Sequence, residues 1–391
     1  MYKIMFSAGE ASGDLHGARL AHALKGLSPD IRLTGLGGPK MAEAGVELCR
    51  DFRDYSVMGV WEVLKNLHRI FALRDTLLHF MEQERPDLLV IIDYPDFNWR
   101  LAKKARAMGI PVFSYIPPSA WAWRKGRAKS CAAIADELVT IFPFDLEVYR
   151  QAGANISFVG NPLVDIVKPS LTEEEARVYF GVSGNMRPVL LLPGSRKQEI
   201  EQLLPVMLAS AEQLQREMPE TEFFLPVAPG IDRNTMESMA DRAGVKVHFT
   251  TEYTYDLMGI CHFALATSGT VVMEAALMGL PCIVLYRMSG LSYFIGRLLV
   301  HIEYFSLPNI LANAPVQPEL LQDEVTVPRI LEEARRLCKD EAHLDSVHRG
   351  LALACEKLGP PDAAGRTARL IFAAAERSRK KSGNSSGEIN E

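Results

Sequence analysis

The chain has 391 residues, 48% of them hydrophobic and 23% charged, with a formal net charge of −5. That length suits two domains, and the composition is that of a globular protein. The acidic balance excludes a globally basic nucleic-acid binder, and six cysteines (49, 131, 261, 282, 338, 355) without a C-x-x-C pair indicate neither a disulfide framework nor a zinc site.

The N-terminus enters a strand at once, Tyr2-Lys3-Ile4-Met5-Phe6, with no signal-peptide layout. Apolar runs predict strands at 2–7, 31–35, 87–92, 111–115, 137–141 and 156–159, then at 188–192, 222–227, 245–249, 262–266 and 281–285. Helix-length segments separate these runs. The fold class is therefore α/β, with two Rossmann-like, doubly wound parallel-sheet domains. The join runs from Gly160-Asn161-Pro162 to about residue 186, where Thr172 and Glu175 predict a capping box. The stretch from Phe263 to Tyr286 is apolar enough to mimic a membrane span. Its Thr267-Ser268-Gly269-Thr270, Glu274 and Gly279-Leu280-Pro281 interruptions predict strand–helix–strand instead. Residues 319–378 read as helices broken at Gly359-Pro360-Pro361, and a polar tail over 379–391 is expected to be disordered. The domains are placed at 1–165 and 186–340. Open α/β sheets bind ligands at the carboxyl ends of their strands. A donor in one domain and an acceptor in the other, across a cleft, is the expected use.

The first strand delivers Ser7-Ala8-Gly9-Glu10-Ala11-Ser12-Gly13-Asp14. Ser12 and Asp14 suit helix caps, whereas Glu10 sits at the strand's carboxyl end with no capping role. The run Leu88–Ile92 delivers Asp93 to its tip, followed by Tyr94-Pro95-Asp96-Phe97-Asn98. Asp93 is placed to accept a proton from an attacking hydroxyl, and Asp96 suits an N-cap. Ile116-Pro117-Pro118-Ser119-Ala120-Trp121-Ala122-Trp123-Arg124 carries two tryptophans that face apart if helical. They flank a cleft, contact lipid or simply pack.

Val57-Met58-Gly59-Val60-Trp61-Glu62-Val63-Leu64, with Lys65 and Arg69, fits a lipid-facing helix with a basic rim. Val60, Trp61, Leu64, Lys65 and Arg69 are the membrane or acyl-contact candidates, and an ordinary core helix fits the pattern equally well. Leu291 to Phe305 is a second such candidate.

Leu190-Leu191-Leu192-Pro193-Gly194-Ser195-Arg196 is a strand, a Pro-Gly turn, a hydroxyl and a guanidinium, placed where a helix begins. That layout presents N–H groups and positive charge to a diphosphate. Ser195 also forms a capping pattern with Gln198. Thr267, Ser268, Gly269 and Thr270 form a second junction suited to phosphate oxygens, and Glu274 suits ribose hydroxyls. Asn309, in Ser306-Leu307-Pro308-Asn309, is placed to reach the same cleft. No D-x-D pair and no His/Cys cluster is present, so neither a metal nor a cofactor is expected.

Together these motifs resemble the lipid-A-disaccharide synthases. The matching stretches are residues 7–14 (SAGEASGD), 57–64 (VMGVWEVL), 92–98 (IDYPDFN), 118–124 (PSAWAWR), 142–144 (FPF), 191–196 (LLPGSR), 266–270 (ATSGT) with Glu274, and 306–309 (SLPN). Asn161 departs from the pattern, since many relatives have histidine there. The resemblance implies an inverting GT-B glycosyltransferase. It implies a UDP-2,3-diacylglucosamine donor and a 2,3-diacylglucosamine 1-phosphate acceptor, giving a β-1,6 disaccharide and UDP. Asp93 is then the general-base candidate, Glu10 an acceptor-side catalytic candidate, Arg196 a diphosphate ligand and Asn309 a further cleft residue. The same likeness implies C-terminal helices, here 341–378, packing back on the first domain. It also implies a peripheral position on the cytoplasmic face of the inner membrane and a homodimer in some members. The rival readings are a UDP-N-acetylglucosamine 2-epimerase and a non-catalytic UDP-sugar-binding protein. A dinucleotide dehydrogenase is disfavoured because the first loop lacks the G-x-G-x-x-G spacing.

Overall fold

The computed structural model describes residues 1–55, 67–121, 126–288 and 302–385. The chain divides into two units, Met1–Pro162 with Pro360–Glu391, and Leu163–Gly359. The first unit holds a seven-stranded sheet in the order β3-β2-β1-β4-β5-β6-β7. Its strands are β1 (Tyr2–Ala8), β2 (Ile31–Gly37), β3 (Glu47–Asp51), β4 (Leu88–Ile92), β5 (Val112–Tyr115), β6 (Glu137–Thr140) and β7 (Ile156–Phe158). The second unit holds six strands in the order β10-β9-β8-β11-β12-β13. These are β8 (Arg187–Leu192), β9 (Thr221–Pro226), β10 (Val247–Thr250), β11 (Phe263–Thr267), β12 (Cys282–Tyr286) and β13 (Glu319–Leu321). Every strand pairing is parallel.

Strand periodicity of two sends alternate side chains to opposite faces. Ile4, Phe6, Ala8, Val90 and Ile92 enter one core of the first unit, while Met5, Leu89 and Ile91 enter the other. Both faces are covered, which is why these strands read as continuous apolar runs. The residues from Phe263 to Tyr286 form β11, the Thr270–Leu277 helix and β12, as their interruptions predict. The Glu173–Phe180 helix opens with the expected capping box, Glu175 N donating to Thr172 Oγ1 at 3.3 Å and Thr172 N to Glu175 Oε2 at 2.8 Å.

The structure corrects the sequence reading in four places. β3 and β13 were not expected, and β13 lies inside the stretch read as all helical. Both are sheet edges of three to five residues. An edge strand pairs on one side only and needs no long apolar run. The first unit ends at Pro162 rather than at residue 165. The Glu341–Glu356 helix packs within the second unit, against the Thr270–Leu277, Leu307–Ala312 and Val327–Lys339 helices, and does not return to the first. Only the Ala363–Ser385 helix does so, lying along the Ala11–Leu27 helix. That helix also runs through residues 379–385, which were expected to be disordered.

The returning helix buries Ala368, Ile371 and Ala375 completely in the core formed with Leu20 and Leu24. Truncation of Ile371 therefore removes packed atoms from a site that cannot collapse. Ile371→Ala is expected to cost about 2–5 kcal/mol in denaturant unfolding. Leu353→Ala, at a side chain 59% exposed, is expected to change stability by less than about 0.5 kcal/mol.

Candidate active site

In each sheet the strand order reverses between two central neighbours, β1 and β4 in the first unit, β8 and β11 in the second. The connections leaving those two strand ends run to opposite faces of the sheet, so a crevice opens above them. The loops after β1, β4, β8 and β11 carry Glu10, Asp93, Ser195–Arg196 and Ser268–Gly269, and Thr270 opens the helix that follows the last of them. Each unit thus carries two of these loops at its own switch point.

In the first unit, Glu10 is exposed and is the N-cap of the Ala11–Leu27 helix, but its side chain takes no cap hydrogen bond. Asp14, expected as a cap for that helix, instead accepts hydrogen bonds from Gly38 N (2.8 Å), Met41 N (3.0 Å) and Lys40 N (3.1 Å). It holds the start of the Pro39–Glu43 helix, a contact only the tertiary fold creates. Asp93 and Tyr94 both adopt left-handed backbone, with φ of 47° and 51°. Neither is glycine, and each such residue costs about 1–2 kcal/mol. Asn98, fully buried, donates from Nδ2 to the carbonyls of Asp93 (2.8 Å) and Ser7 (3.0 Å) and accepts Ser7 Oγ at 2.7 Å. The Tyr94 ring lies over Gly9, where a Cβ would stand 2.2 Å from the ring. That approach explains the glycine before Glu10.

Burial raises the Asp93 carboxyl above its ordinary pKa, opposed by a hydrogen bond from the Tyr94 backbone. A carboxylate held this way is a stronger base than one in water. Asp96 is exposed, one residue into the helix begun by Pro95, and pairs with Arg127 at 3.4 Å. It is not the N-cap, a place that Tyr94 takes. The structure therefore separates the two aspartates, one half-buried at the strand tip and one in a solvated ion pair.

Farther along the same strand ends, Trp121 packs on Phe144 at 5.0 Å, and Phe144 stacks on Phe142 at 5.0 Å. Asp145, pushed up to about 6 by burial, is bonded by Thr140 and Ser119. It ties the end of β6 and the start of the Phe144–Gln151 helix to the loop after β5. Trp123 and Arg124 lie outside the described residues, as do Val60, Trp61, Leu64, Lys65 and all but the end of the Leu291 to Phe305 stretch. Arg69 is described: it is exposed on the Leu67–Glu84 helix and donates to Asp54 O at 2.9 Å.

In the second unit, Gly194 has φ +113°, and a Cβ there would meet Glu199 Oε2 at 2.4 Å. Only glycine fits this turn. Glu199 Oε2 accepts Ser195 N and Arg196 N, each at 3.2 Å, and Glu199 Oε1 accepts Arg196 Nη1 at 2.9 Å. The expected Ser195–Gln198 cap is therefore replaced by Glu199 reaching back, and Arg196 occupies the N-cap position of the Lys197–Glu217 helix. The donors suited to a diphosphate here converge on a carboxylate of the same chain. Arg196 is largely exposed and presents its other N–H groups to solvent.

At the second junction Gly269 precedes the Thr270–Leu277 helix, and nothing lies within 4 Å of where its Cβ would stand. Thr267 is buried, Ser268 half-buried and Thr270 exposed, with Ser268 Oγ donating to Phe305 O at 3.3 Å. Glu274 is raised by burial, opposed by a hydrogen bond from the Tyr255 side chain. Nothing in the local sequence pointed to Tyr255, which lies on the helix following β10.

Asn309 corrects an expectation. It is 1% exposed, and its carboxamide is spent on Gln317, donating to its carbonyl at 2.9 Å and accepting its N–H at 3.1 Å. It clamps the approach to β13 rather than facing a ligand.

Comparison with known proteins accords with this geometry. The family model described as lipid-A-disaccharide synthetase matches residues 4–356. A lipid-A-disaccharide synthase of Geobacter sulfurreducens is 41% identical over 371 residues, covering 95% of this chain and 97% of that protein. Among solved structures, a putative UDP-N-acetylglucosamine 2-epimerase from Listeria monocytogenes aligns with TM-score 0.66 at 15% identity, covering 96% and 97% of the two chains. The calicheamicin glycosyltransferase CalG4 aligns with TM-score 0.58 at 14% identity, covering 96% and 99%. The structural likenesses establish the two-sheet fold. The sequence match, sustained through both units and all four switch-point loops, makes the chain a member of the lipid-A-disaccharide synthetase family.

Proposed function

We propose that the chain joins UDP-2,3-diacylglucosamine to 2,3-diacylglucosamine 1-phosphate by a single inverting displacement. The acceptor's 6-hydroxyl oxygen attacks the donor's anomeric carbon, the bond from that carbon to the diphosphate oxygen breaks, and the hydroxyl proton passes to Asp93. UDP leaves with the bonding electrons. The half-buried Asp93 at the β1/β4 switch point carries this reading, because burial makes its carboxylate the better proton acceptor. Glu10, on the neighbouring loop, orients the acceptor. Family membership favours this reaction over epimerisation and over binding alone.

The UDP moiety is assigned to the second unit. Arg196 and Ser195 hold the diphosphate, with Thr267, Ser268, Gly269 and Thr270 on its other side. The N-termini of the two helices favour the charge that develops on the leaving group. Glu274, oriented by Tyr255, takes the ribose hydroxyls. Asn309 supports this region from within the fold. No cofactor enters the displacement.

Both substrates carry acyl chains, so a position at the cytoplasmic face of the inner membrane is part of the proposal, as is a homodimer. No helix among the described residues is long and apolar enough to cross a membrane. The Leu67–Glu84 helix does present Phe71, 41% exposed, beneath Arg74. An exposed ring beside a guanidinium suits an anionic lipid surface.

Asp93→Asn is expected to lower kcat by about 10²–10⁴-fold while UDP binding, read by calorimetry, stays native. The base must be ionised to act, and its pKa is raised. Activity is therefore lost as pH falls, and the acid limb of kcat lies above the ordinary aspartate range. Arg196→Ala is expected to weaken UDP binding by about 10–100-fold, the loss of charge-assisted hydrogen bonds. Phe71→Asp is expected to reduce co-sedimentation with vesicles containing anionic lipid and to leave the melting temperature unchanged.

A further inference from the structure

We infer that Asn98 is a positioning residue for Asp93, holding the left-handed Asp93–Tyr94 backbone so that the carboxylate stays half-buried above the β1/β4 switch point. This rests on the assignment of Asp93 as the base.

Asn98 lies in the second turn of the Pro95–Ala107 helix and is 0% exposed. A buried carboxamide there could satisfy itself with one or two partners. This one binds both strand ends at once. Its Nδ2 donates to Asp93 O at 2.8 Å, Ser7 O at 3.0 Å and Ile92 O at 3.3 Å, and its Oδ1 accepts Ser7 Oγ at 2.7 Å. Ser7 and Ile91 are paired residues of β1 and β4, so the carboxamide bridges the two strands between which the order reverses.

The backbone needs such a hold. Two successive non-glycine residues with φ near +50° store about 2–4 kcal/mol. An extended strand would continue β4 and turn the Asp93 carbonyl and side chain elsewhere. Strained backbone of this kind persists where its surroundings over-determine it. Here the surroundings include the Asn98 carboxamide on the Asp93 carbonyl, the Asp93 N–H donating to Tyr115 O at 3.1 Å, the Asn98 N–H donating to Tyr94 O at 3.0 Å, and the Tyr94 ring on Gly9. Asparagine is required rather than aspartate, because three carbonyl oxygens face the donor nitrogen.

Among the described residues, the ionisable groups of this junction are Asp93, Tyr94, Asp96 with its partner Arg127 and, from the β1 loop, Glu10. Burial, then the charges of Glu10 and Asp96, push the Tyr94 hydroxyl up. The shift of Asp93 comes from burial. Releasing the backbone lets water reach the carboxylate and returns its pKa toward the ordinary value.

The test uses the full chain with both lipid substrates, measuring kcat and KM across pH for Asn98→Ala, Ser7→Ala and Asp93→Asn, each checked for a native melting transition. Asn98→Ala is expected to lower kcat about 100-fold, the scale of an ångström-sized misplacement. Donor KM should stay within about twofold, since no ligand contact is lost. The acid limb of kcat should move to lower pH. Ser7→Ala, which removes one partner and leaves the carboxamide, should move that limb the same way with a smaller loss. If Asn98→Ala does not fold, the limb of Ser7→Ala decides. An unmoved acid limb in the folded variants overturns the inference, because a purely structural loss scales kcat at every pH alike. If Asp93→Asn keeps native kcat, the base assignment fails and this inference with it. If Asp93→Asn is inactive but the limb is unmoved by Asn98 and Ser7, only this inference fails.

Discussion

Parallel pairing is the constraint on which the molecule depends. A parallel strand cannot return by a hairpin, so each connection crosses over the sheet. When the strand order reverses, successive crossovers lie on opposite faces and two adjacent strand ends are left uncovered. This happens once in each unit, between β1 and β4 and between β8 and β11. Short loops at those ends then project polar residues out of an otherwise apolar sheet. The core residues Phe6, Val90, Leu191 and Leu265 fix where those loops begin.

Buried and half-buried polar groups do the corresponding work around the sheets. Asp14 takes three backbone N–H groups at the start of the Pro39–Glu43 helix. Glu319 takes the N–H groups of Phe305 (3.0 Å) and Ser306 (2.8 Å). Asn309 closes on Gln317, and Asn98 spans Ser7 and Asp93. Each is a side chain satisfying backbone that no regular ladder reaches, which burial demands. Loops pinned in this manner hold their shape without becoming part of a strand or helix.

The two switch points differ in electrostatic character, and the difference matches their proposed tasks. The first presents carboxylates, one of them raised by burial, as proton transfer from a hydroxyl requires. The second presents helix N-termini and Arg196, as a departing diphosphate requires. Glu199 already occupies the inner side of that second cradle, bonded to two loop N–H groups and to the guanidinium. It satisfies donors that would otherwise wait unpaired, and it aims the remaining face of Arg196 outward.

The sequence by itself determined the architecture and the loops to which the proposed chemistry is assigned. Buried parallel strands leave long apolar runs, and turn residues such as Pro193-Gly194 mark where they stop, so eleven of the strands and the four loops were legible. β3 and β13 were not, because edge strands bury little and carry polar residues. Glu199 was visible as a residue three beyond Arg196, yet Gln198 fits the same capping pattern one residue earlier. What each polar residue touches was decided by tertiary structure alone. Asp14 bonds a loop 24 residues away, Tyr255 meets Glu274 from another helix, and Asn98 reaches Ser7 across 91 residues. Asn309 carries the same amide as any ligand-binding asparagine, and only the position of Gln317 shows that it is spent. Local pattern reports where a backbone leaves its sheet. Which partner a side chain then meets depends on how strands distant in sequence come to lie side by side.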